Sequence, residues 1–118
     1  VYIAETAQQA YEEPRASTLE GYRRMARNYE TSVGGSGTAA AEAAGRAQSL
    51  TTIDYDELLR ERLVCGTPEA VARRLACLSR ELGLAGIIVE PNFGGAIPRE
   101  LVFRSVRLFA EQVAPNLR

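Results

Sequence analysis

Residues 63–90, LVCGTPEAVARRLACLSRELGLAGIIVE, carry the reading that decides the fold class. Leu63-Val64-Cys65 is a brief apolar run that suits a strand. Thr67 follows as a helix N-cap, with Pro68 at the first helical position and Glu69 in the first turn, where its charge favours the helix dipole. Val71, Leu75, Leu78 and Leu82 recur at helical spacing, Arg73, Arg74, Arg80 and Glu81 supply a polar side, and Gly83 suits a left-handed C-cap. Gly86-Ile87-Ile88-Val89 is then apolar at consecutive positions, the pattern of a parallel strand buried on both faces. Strand, helix and buried strand in this order predict an α/β protein with a parallel sheet.

The same logic extends in both directions. Val1-Tyr2-Ile3-Ala4 is short, apolar and β-prone, and it opens without an initiator methionine, as a strand belonging to something longer would. Thr6 and Gln9 have capping-box spacing, which predicts a helix that Pro14 ends or kinks; Ser17 and Glu20 repeat the signal. Leu19, Tyr22, Ala26 and Tyr29 then fall on one helical face, with Arg23, Arg24 and Arg27 largely outside it. Residues 32–50 are rich in Gly and Ala and read as a flexible insertion, longer than the ~12 to 15 residues usual for an unstructured connection, with a turn of helix expected near Glu42. Residues 54–59 suit a short helix. Downstream, Pro98 opens a last helix with Val102, Val106, Phe109 and Val113 as its apolar stripe, and Pro115 stops it. Three strands cannot close a barrel, so either the sheet is open or the barrel is incomplete in this chain.

Composition narrows the function. The 118 residues include 46% hydrophobic and 25% charged residues, enough to bury a core. Lys plus Arg number 14 and Asp plus Glu 15, so a net charge of −1 offers no field for nucleic acid or an anionic membrane. With no long apolar run and no secretory leader pattern, the chain reads as cytoplasmic. Cys65 and Cys77 fit neither a CxxC pair nor a disulfide framework and are expected as reduced thiols. Histidine is absent, which removes the commonest general base and metal ligand, and no metal-ligand cluster is expected. Gly35-Ser36-Gly37-Thr38-Ala39-Ala40 matches a dinucleotide-binding pattern but has no strand before it and reads as low-complexity sequence. No phosphate-binding P-loop or Gly-x-Ser-x-Gly nucleophile elbow is present.

Two loops lie where α/β folds place ligands. Cys65-Gly66-Thr67-Pro68 passes from strand to helix N-terminus and suits either an anion or a plain tight turn. Asn92, Phe93, Gly94 and Gly95 follow the apolar run at 86–89: the glycines permit close backbone approach, Asn92 can donate and accept, and Phe93 can line an apolar wall. An ordinary loop serves the same residues equally well.

Taken together, residues 64–118 resemble the C-terminal end of bacterial-luciferase-like flavin-dependent monooxygenases. That likeness rests on Gly66-Thr67-Pro68-Glu69, on Ile87-Ile88-Val89, on Asn92 to Gly95, and on Ser105-Val106-Arg107-Leu108-Phe109 with Val113 and Pro115. The opening "VYIAET" is similar to the family's sixth strand. The resemblance implies C-terminal βα units of a (β/α)₈ TIM barrel, incomplete in this chain. It implies reduced FMN, or a deazaflavin in related branches, and molecular oxygen acting on a small organic substrate. A flavin reductase as reductant source and a homodimer when full length are implied likewise. Asn92, Phe93, Gly94 and Gly95 would border cofactor or substrate, residues 32–50 would match a mobile lid, and the catalytic residues, unknown here, would lie upstream of Val1. Two alternatives stand beside it: a self-standing α/β binding or assembly module, and a deazaflavin-dependent oxidoreductase of the same fold. On the flavin reading, Gly94→Val in the full-length enzyme should weaken flavin or substrate binding, measured by titration and turnover; unchanged affinity and turnover would remove that assignment.

Overall fold

The computed structural model describes residues 1–32 and 37–117. Two short strands, β1 (Tyr2–Ile3) and β2 (Cys65–Gly66), pair in parallel with Tyr2 opposite Cys65 and Ile3 opposite Gly66. Between them run α1 (Ala7–Glu12), α2 (Arg15–Ser32), α3 (Thr38–Thr52) and α4 (Tyr55–Glu61); after them come α5 (Pro68–Leu82) and α6 (Arg99–Leu108). A π turn at Phe109–Val113 and a 3₁₀ turn at Ala114–Leu117 carry the end of α6 onward. The fold is α/β in the coarse sense, mostly helical with one parallel strand pair among the described residues.

Local signals explain the starts of α1 and α5. Thr6 closes the capping box with Gln9 and begins α1. Thr67 accepts from Ala70 N, Pro68 occupies the first turn of α5, and Gly83 ends that helix at φ 61°. Ser17 is a correction. It does not cap α2, which begins two residues earlier directly after Pro14, whose carbonyl accepts from Thr18 N at 2.8 Å.

The larger correction concerns the Gly/Ala-rich insertion. Residues 38–52 form a 15-residue helix, not a flexible loop, and it packs along α2. Alanine has the highest helix propensity of any residue, and Ala43, Ala47 and Leu50 recur at helical spacing to place three buried side chains on one face. Residues 33–36, which include the first two positions of the dinucleotide-like pattern, lie outside the described residues.

Three apolar clusters form the core. Tyr22 and Ala26 of α2 meet Ala47, Leu50, Tyr55 and Leu58 from α3 and α4. On one face of β1, Ile3 packs with Val71, Leu75, Leu108 and Val113; on the other, Tyr2 and Ala4 pack with Ala10 and Ile97. This is the two-residue alternation of a strand buried on both sides.

Gly86–Val89 is not a strand. The segment lies outside the sheet, with Ile87 at 37% and Ile88 at 100% exposure. A run that is apolar at every position gains from strand pairing only where neighbours bury both faces, and β1 and β2 pair with each other instead. Of the expected α6 stripe, Val113 is buried and Val102 and Phe109 pack against the core, but Val106 is exposed; Ser105 and Leu108 are buried beside Ile3. Leu82, expected at the buried end of α5, is also exposed. No described helix is long and apolar enough to cross a membrane.

The α5 start offers a direct check on these local causes. Thr67→Ala removes the side-chain cap and should lower stability by about 1 kcal/mol, read as a lower urea midpoint at unchanged slope.

Candidate functional site

The loop at 92–97 is built by its own side chains. Asn92 Oδ1 accepts from Ile97 N at 3.1 Å and its carbonyl accepts from Gly95 N at 2.9 Å, which bends the chain back on itself. Gly94 and Gly95 take φ of 90° and 80° inside that bend. α2 receives the loop. Ser17, 2% exposed, donates from Oγ to Phe93 O at 2.8 Å and accepts from Ala96 N at 2.9 Å. Arg24 donates to Gly94 O at 3.2 Å.

The approach is close enough to require glycine on both sides. A Cβ on Gly94 would stand 1.8 Å from Ser17 O, and one on Gly21 would stand 2.7 Å from the Phe93 ring. Phe93 lies over Tyr22 with centroids 5.1 Å apart and joins the α2–α4 core. All four residues singled out in the sequence are therefore brought together, and their close backbone approach is to α2. Gly94→Val would collide with Ser17, so any loss of binding in that variant has to be read beside its thermal stability.

A second polar cluster was not legible in the sequence. Tyr2 donates its phenol proton to Glu13 Oε2 at 2.6 Å, and Arg104 of α6 reaches the same oxygen while its other nitrogen faces Glu5 at 3.8 Å. Arg104 Nε is buried without a partner among the described residues. These residues are 2, 5, 13 and 104 in the chain, and only the packing of α1 and α6 against β1 joins them. Nearby, Ser105 Oγ accepts from Ile3 N at 2.9 Å and so satisfies a β1 amide that has no strand neighbour there. Val1, Ile3, Val89, Pro91 and Phe109 line an apolar cavity of about 230 Å³ beside it.

These groups do not form an activated nucleophile. Burial pushes the Tyr2 phenol well above its usual range and the Glu13 carboxylate adds to the shift, so Tyr2 is a neutral hydrogen-bond donor. Burial likewise raises the Cys65 thiol, and Glu81, which accepts from Cys77 Sγ, raises the other. Both cysteines are free, and neither has the lowered pKa that reactivity needs. The Cys65–Pro68 passage is used as a turn and N-cap, Gly66 packing against Ala70. Among the described residues no group of three His, Cys, Asp or Glu could hold a metal.

The Tyr2 shift sets a pH dependence. A phenol whose folded pKa exceeds its unfolded value contributes stability that is present below the unfolded pKa, about 10, and is lost as pH rises through the folded one. Urea midpoints should fall as pH is raised above about 10. Tyr2→Phe should fall less steeply, the remaining slope coming from the other raised phenols, Tyr55, Tyr22 and Tyr11; identical slopes in both proteins would contradict the assignment.

Comparison with known proteins finds no matching family model, no matching curated protein and no matching solved structure.

Proposed function

We propose that the chain supplies C-terminal βα units to the (β/α)₈ barrel of a luciferase-like flavin-dependent monooxygenase, an oxidoreductase using reduced FMN and molecular oxygen on a small organic substrate. One observation carries the reading. Ile87, Ile88 and Val89 follow α5 as an apolar run without a strand partner, and Ile88 is fully exposed. A third parallel strand with neighbours on both sides would bury that run. The parallel β1–β2 pair, separated by a helical connection, and the motif order quoted above support the same assignment.

The residues of this chain do not fit a flavin site of their own. The Asn92 carbonyl oxygens face the loop, the Phe93 ring lies in the α2–α4 core, and Gly94 approaches Ser17. No step of flavin chemistry is therefore assigned to them. In this proposal they form barrel wall, and the residues that hold cofactor and perform chemistry belong to other parts of the protein.

A self-standing binding or assembly module is favoured by a different observation: Tyr2, which would line an open barrel, is only 2% exposed. The reading frame upstream of Val1 separates the two. The monooxygenase reading expects about 200 further residues of alternating strand and helix pattern, since the fold needs roughly 250. It also expects the whole product to bind reduced FMN, or reduced deazaflavin in the related branch, and to consume oxygen when a flavin reductase supplies the cofactor. A frame that starts near Val1, with a cooperative monomeric melt and no flavin binding, would overturn it in favour of the module.

A further inference from the structure

A cleft of about 210 Å³ opens between α2, α3 and α4. Leu19, Leu50 and Ile53 give it an apolar part beside Tyr22, Tyr55 and Thr51, and its charged groups are Arg15, Arg23 and Asp54. Of the four arginines on α2, Arg24 holds Gly94 O and Arg27 holds Glu20 at 2.8 Å. Arg15 makes no hydrogen bond or ion pair among the described residues, and Arg23 reaches Glu20 only at 3.9 Å. Two exposed guanidinium groups therefore border one cleft, and neither makes a close ion pair among the described residues.

Arg15 is also held in place. Its guanidinium carbon stands 5.6 Å from the Tyr55 ring centroid and 6.0 Å from that of Tyr11. Cation–π attraction to the two rings draws the guanidinium towards them and leaves N–H groups able to meet a carboxylate or phosphate. Tyr55 is itself locked, donating to Tyr11 O at 2.8 Å, and Tyr11 donates to Asp56 at 2.9 Å. The Asp56 carboxylate is thereby drawn to Tyr11. Asp54 stands at the N-cap position of α4 but its side chain makes no cap hydrogen bond, so an acceptor is also free in the cleft.

We propose that this cleft binds a small organic anion, a carboxylate or phosphate monoester with an apolar body, through Arg15 and Arg23, with Asp54 accepting from a ligand hydroxyl or amine. The anion supplies Arg15 with an ionic partner and Arg23 with a closer one than Glu20, and the apolar body covers Leu19, Leu50 and Ile53. The assignment is independent of the monooxygenase reading.

Isothermal titration of the whole chain with phenyl phosphate, benzoate and inorganic phosphate tests it. Saturable binding of phenyl phosphate or benzoate is expected, and whichever binds more tightly identifies the headgroup. Arg15→Gln and Arg23→Gln, both at exposed positions, should each weaken that binding at least tenfold with unchanged circular dichroism. Arg73→Gln on α5 should leave it unaltered. Absence of saturation with both organic probes would overturn the proposal, as would equal weakening in Arg73→Gln. Inorganic phosphate binding as tightly as phenyl phosphate would remove the apolar part of the assignment.

Discussion

The hydroxyl of Ser17 joins two halves of the chain that are more than seventy residues apart. It gives its proton to Phe93 O and takes one from Ala96 N, so a single buried side chain satisfies both a carbonyl and an amide of the returning loop. Each such hydrogen bond contributes about 1 kcal/mol net. Gly94 and Gly21 let the two backbones come close enough for this contact, and Phe93 then reaches Tyr22. The docked loop leads into Ile97, which closes the cluster under Tyr2 and Ala4, and into α6, whose Ser105 caps the Ile3 amide. Strand β1 is thus covered on both faces although its sheet has two strands.

This constraint also decides how the loop can be used. Glycines after a strand position are compatible with a ligand or with another backbone, and sequence alone does not distinguish the two. Here the space a Cβ would take is filled by the Ser17 carbonyl. A ligand site in this chain is better sought where donors remain unspent, as at Arg15 and Arg23, than where glycines cluster.

What could be read from the sequence was what local chemistry determines. Thr67, Pro68 and Gly83 act within a few residues of themselves, and α5 begins and ends where they place it. The Tyr22–Ala26 face of α2 was legible for the same reason. Composition misled at residues 38–52, where the glycines drew attention from an alanine helix that the spacing of Ala43, Ala47 and Leu50 already signals. Ser17 and Glu20 carry a capping pattern, but Pro14 starts the helix first and frees the hydroxyl for a distant partner. Ile87 and Ile88 carry a strand pattern whose outcome depends on neighbours, and no local signal supplies those. The Tyr2, Glu13 and Arg104 cluster depends wholly on tertiary packing.

The central claim is that the 92–97 loop is clasped to α2 by Ser17. Amide hydrogen exchange at Ala96 tests this most directly, because Ala96 is an exposed loop residue whose amide donates to a buried hydroxyl. The account predicts strong protection of the Ala96 amide in the native protein and its loss in Ser17→Ala, with the α5 amides still protected. Exchange at Ala96 as fast as in an unstructured peptide, in the unaltered protein, would contradict it.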